Sequence, residues 1–385
     1  IKNYTLEKFK YNNKHSYFRN NMENNFVKNI SLQNFKCFDN LNVKNLKRVN
    51  LVGGKNNIGK TSFLEGLEML TKAKTSFGLR INSLDILKRR QSRKSINPFQ
   101  PQIHQPLKFE FFISLEKEIK ISSNINNVNI KYIPIGEKIE SLNIQTVNPQ
   151  SIQDVYTTKI APIPFLEFSF GIEKFAAPVQ DLEMPHFFNE DELNTNNNVI
   201  FISSCTTDES ILATYYGKLI SLDKDNDLNN YLNSFDTNII SLKAIPINIQ
   251  GNFISELKLK LENRDNLVKL TSLGDGINRY IAIICAIWAS KDGFLFIDEI
   301  ENGIHYTNYE KLWKIIFEAS KQANCQVFTT THSIECIEAF NKINQNDDGI
   351  YLEFYRNQKN GLIQVKERDN EQLEYALEHN SEIRG

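Results

Sequence analysis

One segment of this 385-residue chain combines glycine, lysine and hydroxyl side chains at a spacing suited to holding phosphate groups. It covers residues 54–62 and fits the pattern of a glycine, four further residues and then Gly-Lys-Thr. Glycines allow backbone N–H groups to turn toward an anion, Lys60 can neutralise its charge, and the Thr61 hydroxyl can bind magnesium. The segment therefore predicts a site for a nucleoside triphosphate and Mg²⁺, formed by Gly54, Asn56, Asn57, Gly59, Lys60, Thr61 and Ser62.

Two adjacent carboxylates follow an apolar run much later in the chain. Residues 294–297 read Phe-Leu-Phe-Ile and are followed by Asp298 and Glu299. A buried strand of this kind delivers its last side chains to the C-terminal edge of a parallel sheet, where α/β proteins bind ligands. Asp298 could there bind magnesium and Glu299 could polarise the attacking water, although such a run is also a common strand terminus.

Two further segments could contact the same ligand. Residues 271–276 read Thr-Ser-Leu-Gly-Asp-Gly and precede a predicted helix. Ser272 and Gly274 could therefore form a second anion-binding helix start, or an ordinary helix cap. His332 follows another predicted strand at residues 326–330 and could donate a hydrogen bond to a γ-phosphate, although a single histidine is more often structural.

The elements that must position these residues alternate between strands and helices. Residues 49–52 predict a buried strand and residues 63–73 a helix, on either side of the glycine loop. The last third of the chain predicts strands at residues 257–261, 294–297 and 326–330 and helices at 276–289 and 309–322. This alternation predicts an α/β fold with a mostly parallel sheet flanked by helices.

The middle of the chain has a weaker pattern. It predicts strands at residues 108–115, 119–135 and 199–203 and a helix at 210–232. Several prolines at residues 134–198 predict irregular surface structure or long variable loops. The predicted fold therefore includes an antiparallel β portion and an inserted mixed subdomain. The predicted division is a polar extension at 1–25, two parts of the core at 26–80 and 251–385, and the inserted β and helical subdomain at 81–250.

Composition favours a cytoplasmic protein without a membrane span. The 45 Lys and Arg residues balance 46 Asp and Glu residues, so the net charge of -1 does not indicate a nucleic-acid-binding protein. The longest apolar run, residues 281–289, is much shorter than the about 20 residues of a spanning helix. Five scattered cysteines without a CxxC pair predict reduced thiols. We expect the basic cluster (Lys88, Arg89, Arg90, Arg93 and Lys94) to be a solvated face or a contact to a nucleic-acid backbone.

Four motifs resemble, in order and spacing, those of ABC-type ATPases. In chain order, residues 54–62 correspond to Walker A, residues 271–276 to the signature segment, Asp298 and Glu299 with the preceding strand to Walker B, and His332 to the His switch. Within that class, the Asn-Asn pair of the glycine loop and the run Ile-Asp-Glu-Ile-Glu-Asn-Gly-Ile-His look like the OLD-like and RecF-like bacterial ATPases. These include the ATPase subunits of phage-defence systems such as PARIS and Septu. The resemblance covers residues 26–79 and 255–340, and it implies an ABC-type P-loop fold that binds MgATP and hydrolyses ATP.

The resemblance also implies a head-to-tail homodimer or a higher homo-oligomer. The glycine loop, Asp298, Glu299 and His332 would bind one nucleotide in cis. Ser272 and Gly274 would approach the ATP of a second subunit.

Some residues near these motifs have less certain assignments. Glu301 and Asn302 follow the catalytic strand where such ATPases make contacts across the dimer, and Arg279 is expected to be a structural or dimer residue. The glutamine loop of the family has no single match, and its candidates are Gln100, Gln102 and Gln105.

Three functions can be compared with these expectations. In the first, ATP-driven dimerisation regulates an effector protein in trans, expected to be a nuclease, in anti-phage defence; the chain after His332 is too short for the Toprim nuclease domain of OLD-type proteins. The second is a RecF-like DNA-repair or chromosome-maintenance ATPase that binds DNA directly. The third, a transporter subunit, fits poorly because residues 81–250 are unlike the compact subunits of that family.

Overall fold

The computed structural model describes residues 25–92, 117–140, 143–144, 155, 158–182, 197–205, 207–249 and 252–379. Its strands are β1 (Ile30–Phe35), β2 (Phe38–Val43), β3 (Val49–Gly53), β4 (Ile119–Ser123), β5 (Asn127–Ile133), β6 (Asn143–Ile144), β7 (Phe165–Phe170), β8 (Glu173–Pro178), β9 (Val199–Ile202), β10 (Ile239–Ile249), β11 (Asn252–Leu261), β12 (Val268–Lys269), β13 (Phe294–Ile297), β14 (Gln326–Thr330), β15 (Gly349–Arg356) and β16 (Ile363–Arg368). Its α-helices are α1 (Lys60–Lys72), α2 (Ser76–Ser92), α3 (Glu209–Ile220), α4 (Asp225–Phe235), α5 (Asp275–Ala289), α6 (Tyr309–Gln322), α7 (Ile334–Ile343) and α8 (Asn370–Glu378). The predictions for residues 1–24, for a strand at 108–115 and for the three candidate glutamines lie outside the described residues.

Five parallel strands and one antiparallel edge strand form the sheet at whose edge the candidate residues lie. The strand order is β16-β15-β3-β14-β13-β9, and only β16 pairs antiparallel with its neighbour. Every residue of β3, β13 and β14 is buried, as expected for a parallel sheet with both faces covered. The common direction brings the C-terminal ends of β3, β9, β13 and β14 to one edge of the sheet.

The two faces of this sheet pack into different hydrophobic clusters. Leu51 and Val327 pack with helices α3, α5 and α6 on one side. Val52 and Phe328 pack with α1, α2 and a second sheet on the other side. Neighbouring residues of one strand therefore belong to opposite cores, because side chains alternate between the faces of a strand.

The second sheet has seven strands in the order β2-β1-β4-β5-β7-β8-β6, and all pairs except β6 with β8 are antiparallel. The prediction of irregular structure at residues 134–198 is wrong for β7 and β8, which form a hairpin. Phe165 and Phe168 of this hairpin are buried. Pro178 is the last residue of β8, a strand end where proline removes no essential hydrogen bond.

A smaller unit contains α3, α4 and the antiparallel strands β10, β11 and β12. The single helix predicted at residues 210–232 is wrong, since α3 ends at Ile220 and α4 begins at Asp225. Asp223 lies between them with a φ angle of 54°. This left-handed conformation is incompatible with a continuous α-helix.

The element predictions for the last third of the chain are confirmed. Strands β13 and β14 and helix α6 have the predicted bounds, α5 begins one residue before the predicted start, and β11 begins earlier, at Asn252. The predicted α/β fold class, with a mostly parallel sheet, flanking helices and an antiparallel portion, is also confirmed. The predicted division into domains stays a prediction. Strand β9 lies within the predicted inserted subdomain at residues 81–250, yet it pairs with β13 of the core sheet. Among the described helices, none is long and apolar enough to cross a membrane.

Candidate functional site

The glycine loop connects β3 to α1. Gly54 and Gly59 have φ angles of 141° and 90°. A Cβ added at Gly54 would lie 2.4 Å from the carbonyl oxygen of Phe354, and a Cβ added at Gly59 would lie 2.5 Å from Sγ of Cys37. Both positions therefore require glycine. Asn57 has a φ angle of 61°, which asparagine tolerates better than most residues. Gly59 offers no side chain to cap α1, and the first turn has no acidic residue, so its N–H groups and helix dipole favour an anion.

Lys60 lies within this loop and is only 5% exposed. Its Nζ donates to the carbonyl oxygen of Gly54 at 2.6 Å and to a second loop carbonyl at 2.9 Å. Burial lowers the pKa of Lys60 to about 8, while the carboxylates of Glu301, Glu299 and Asp298 act in the opposite direction. The loop thus holds a cation beside a group of carboxylates, which is the charge distribution that a magnesium–phosphate complex requires.

Asp298 follows β13, is 3% exposed and accepts hydrogen bonds from two hydroxyl groups. Oγ1 of Thr61 and Oγ1 of Thr330 each lie 3.0 Å from Oδ1 of Asp298. These hard oxygen atoms suit Mg²⁺, which is usually bound by one or two carboxylates together with substrate phosphates. Thr61 and Asp298 therefore fit a magnesium site that a nucleotide completes. Among the described residues, no cluster of three or more His, Cys, Asp and Glu side chains could hold a metal alone.

Glu299 begins the turn after β13 with a φ angle of 52°. Such a left-handed non-glycine residue costs on the order of 1–3 kcal/mol and persists where its surroundings fix it. Here the Glu299 N–H donates to Oγ1 of Thr330 at 2.8 Å, and Asn302 Nδ2 donates to Oε2 of Glu299 at 2.7 Å. The Glu299 side chain is 36% exposed, so an oriented carboxylate remains accessible to a ligand.

His332 follows β14 and lies between Lys60 and Glu299. Its Nδ1 is 3.1 Å from Nζ of Lys60, and its Nε2 is 3.6 Å from Oε1 of Glu299. A charged ammonium group can only donate, so Nδ1 accepts and the proton of the neutral imidazole lies on Nε2. The main-chain N–H of His332 donates to Glu301, which holds the residue in place. His332 thus offers an Nε2–H donor next to Glu299.

Arg279 ties helix α5 to the ends of β9 and β13. Its Nη2 donates to the carbonyl oxygens of Asp298 at 2.7 Å and Glu299 at 3.2 Å, and its Nη1 donates to that of Ser203. The residue is 6% exposed, and burial lowers its pKa to about 10. Arg279 therefore has the structural role expected from the sequence, because it fixes the backbone that presents the two carboxylates.

Ser272 and Gly274 are placed away from this group. Ser272 ends a 3₁₀-helix (Leu270–Ser272), Gly274 immediately precedes α5, and both are exposed. Gly274 gives α5 no side-chain cap, so this helix also begins without a capping hydrogen bond. Neither residue is among the described residues that line the cavity at the glycine loop. Their contact with the nucleotide of a second copy stays a prediction.

The remaining candidate residues converge on a cavity of about 790 Å³. The lining residues that the sequence predicted are Asn56, Asn57, Gly59, Lys60, Thr61, Ser62, Glu299 and His332. Gly54 and Asp298 adjoin the cavity through their hydrogen bonds to Lys60 and Thr61. Several further lining residues were not predicted from the sequence. The β1–β2 turn, the glycine loop and α2 supply them: Lys36, Cys37, Ile58, Leu87, Arg90 and Gln91.

Of these further lining residues, only Arg90 belongs to the basic cluster noted in the sequence. The prediction of a solvated face is wrong for Arg89 and Arg90, which pair with Glu68 and Glu65 of α1. Both glutamates are buried, and a buried carboxylate requires a cationic partner. Two acids within the mainly apolar run at residues 63–70 could have indicated that arginines elsewhere in the chain face inward. A nucleic-acid contact of the cluster stays a prediction.

The fold is that of a P-loop ATPase of the ABC type. It has a glycine loop between β3 and α1, acids at the end of β13 and a second, largely antiparallel sheet. The chain belongs to the family described as "AAA domain, putative AbiEii toxin, Type IV TA system", whose model matches residues 49–338.

Known proteins are similar to this chain over most of its length. An ATP/GTP phosphatase of Helicobacter pylori is 26% identical over 390 residues, which cover 93% of this chain and 100% of that protein. The DNA replication and repair protein RecF of Streptococcus agalactiae is 24% identical over 291 residues, covering 69% of this chain and 75% of RecF. The solved structure of an SMC head bound to the C-terminal winged-helix domain of ScpA is 10% identical, covers 90% of this chain and 99% of that one, and has a TM-score of 0.48.

Proposed function

We propose that this protein binds MgATP at the cavity and hydrolyses it to ADP and phosphate. The observation that carries the proposal is the convergence of Lys60, Asp298 and Glu299 from distant parts of the chain at one edge of the parallel sheet. Membership of the AAA-domain family and the similarity to an ATP/GTP phosphatase support the same activity. The choice of ATP as the nucleotide follows from the resemblance of the motifs to those of ABC-type ATPases.

Each side chain has a defined task in this reaction. Glu299 accepts a proton from water as the water oxygen bonds to the γ-phosphorus and the bond from that phosphorus to the ADP oxygen breaks. Lys60 neutralises charge on the β- and γ-phosphates, and His332 donates its Nε2–H to the γ-phosphate. Thr61 and Asp298 would hold Mg²⁺, which would supply further charge neutralisation.

We further propose that ATP drives dimerisation and that the dimer regulates an effector protein in anti-phage defence. The resemblance of the motifs to the PARIS and Septu ATPases supports this role. The family description also names a toxin–antitoxin system, and such a system has two components. In phage-challenged cells carrying this gene with its neighbouring genes, Lys60→Ala and Glu299→Gln should each abolish protection. Protection that survives both substitutions would exclude an ATP-dependent defence role.

A RecF-like function in DNA repair is the alternative, favoured by the similarity to RecF over 69% of the chain. This function requires direct binding of DNA to the purified protein, with an affinity that falls as the salt concentration rises. A regulatory ATPase that acts only through a protein partner would show no such binding.

Two substitutions separate nucleotide binding from hydrolysis. Lys60→Ala removes the cation of the loop and should abolish ATP binding in a calorimetric titration. Glu299→Gln should bind ATP with nearly the wild-type affinity, but phosphate release should fall by about 10²–10⁴-fold because the proton acceptor is lost. Glu318→Gln makes the same change at an exposed site of α6 and should keep wild-type activity.

The two variants test different parts of the proposal. ATP binding by Lys60→Ala would contradict the assignment of the glycine loop. Wild-type turnover by Glu299→Gln would remove this residue from the mechanism while leaving the nucleotide site intact.

A further inference from the structure

Arg90 on α2 lines the same cavity as the glycine loop. Its Nε and Nη2 donate to the two carboxylate oxygens of Glu65 at 2.7 and 2.6 Å. Nη2 also lies 3.2 Å from Oγ of Ser62, in the first turn of α1. This two-point contact holds the guanidinium beside the helix start that favours an anion.

Arg90 retains hydrogen-bonding capacity at this position. Its side chain is 36% exposed, and its Nη1 makes no hydrogen bond to another described residue. A guanidinium group has five N–H donors in one plane, and this geometry matches phosphate oxygens. The free edge of Arg90 can therefore donate to a ligand while the other edge remains bound to Glu65.

Two cationic side chains at the cavity contact Glu65. Glu65 is buried and pairs with both Lys36 and Arg90. Lys36 and Arg90 both line the cavity. Glu65 thus fixes two cationic groups at the cavity wall, where they can attract an anionic ligand.

We propose that Arg90 is a phosphate-binding residue of the nucleotide site, preorganised by Glu65. The assignment rests on the proposed function, because it requires that the cavity binds a nucleotide. Arg90 contacts Ser62, the residue that follows the candidate magnesium ligand Thr61. Glu299 and His332 are instead assigned to the attacking water and the γ-phosphate. The ligand of Arg90 is therefore a phosphate that ADP and ATP share.

Arg89 is a matched control on the same helix. Like Arg90, it forms a two-point ion pair with a buried glutamate of α1, here Glu68. Its guanidinium carbon lies 3.8 Å from the ring centre of Phe201, and the residue is not among the described residues that line the cavity. Loss of Arg89 therefore removes a comparable buried ion pair without removing a donor from the cavity.

The test compares the dissociation constants of ADP and ATP for the wild type, Arg90→Gln and Arg89→Gln by calorimetry. Arg90→Gln should weaken binding of both nucleotides by the same factor, about tenfold to a hundredfold, as expected for one lost hydrogen bond to a charged group. Arg89→Gln should change both constants by less than about twofold, even if it lowers stability as much, because it keeps every donor that lines the cavity. Arg90→Lys keeps the charge and should recover part of the affinity.

Unfolding of both glutamine variants without nucleotide shows whether the losses of stability are comparable. Unchanged affinity in Arg90→Gln, or an equal loss of affinity in Arg89→Gln, would overturn the role of Arg90. A wild-type protein that binds neither nucleotide would instead refute the proposed function, and Arg90 would fall with it. Loss of affinity in Arg90→Gln alone, with partial recovery in Arg90→Lys, supports the proposal.

Discussion

Lys36 brings a positive charge into the protein interior beside α1. Its side chain is only 6% exposed, it pairs with Glu65, and the guanidinium groups of Arg90 and Arg89 face it from α2. Burial lowers the pKa of Lys36 from 10.5 to about 8, with Glu65 opposing the shift. Between these pH values the unfolded chain binds a proton that the folded protein has released, so stability should rise with pH.

The Lys36→Met variant isolates this effect. Relative to the variant, the free energy of unfolding of the wild type should increase between pH 8 and pH 10.5, by at most about 1.4 kcal/mol per pH unit. Urea unfolding of both proteins at several pH values in this window, without nucleotide, measures the difference. Stability curves of the two proteins that remain parallel would show that Lys36 does not titrate as the structure indicates.

The residues of the site differ in how far the sequence could predict them. The glycine loop was predictable because its backbone geometry requires glycine at fixed spacing, and the acids after β13 were predictable because they end an apolar run. Thr330 and Arg90 were not, since their roles arise from contacts with Asp298 and Ser62, which lie far away in the sequence. A hydroxyl or a guanidinium group in an ordinary helix or strand gives no local signal of such a contact.

At the level of elements, the start of α5 is packed against the turn that follows β13. A Cβ added at Gly276 would lie 2.4 Å from the carbonyl oxygen of Gly303, which itself has a φ angle of 76°. Arg279 reinforces this contact from the same helix through the carbonyl groups of Asp298 and Glu299. The start of α5 and the turn that carries Glu299 are therefore packed together as one unit.

Gly276→Ala should disrupt this unit. The added methyl group forces the helix and the turn apart, and we expect the free energy of unfolding to fall by about 1–3 kcal/mol. Gly217→Ala provides a matched control, because Gly217 lies in α3 and its added Cβ would meet nothing within 4 Å. That change should stabilise the protein by about 0.5–1 kcal/mol through the higher helix propensity of alanine. Equal effects of the two substitutions in chemical unfolding would contradict the close packing.

Elements with a strong hydrophobic period were predictable, and those defined by distant pairing were not. Helix α6 and strands β13 and β14 have a regular apolar pattern between clear ends. The hairpin of β7 and β8 lies in a proline-rich stretch, and its stability comes from pairing with β5 and from packing in the second core. The break between α3 and α4 depends on the backbone of Asp223, which the helical pattern of residues 210–232 conceals.

For the whole molecule, the position of the signature segment has a consequence for assembly. Ser272 and Gly274 are exposed and do not line the cavity at the glycine loop, as far as the described residues show. If these residues contact a nucleotide, that nucleotide is bound by another copy of the chain. Two copies in a head-to-tail arrangement would then each complete the site of the other, as in the dimer that the ABC-type motifs imply.

Substitution of Ser272 tests this arrangement. In the Glu299→Gln background with MgATP, the protein should sediment as a dimer, because ATP is bound and hydrolysed slowly. Adding Ser272→Arg should keep the protein monomeric through steric and charge conflict at the interface, yet leave the ATP dissociation constant of each copy within about twofold, since the cis contacts are intact. Thr237→Arg introduces the same side chain at another exposed position and should not prevent dimerisation. A dimer that persists with Ser272→Arg would separate the signature segment from the interface, whereas loss of ATP binding by the monomer would place Ser272 in the site of its own chain.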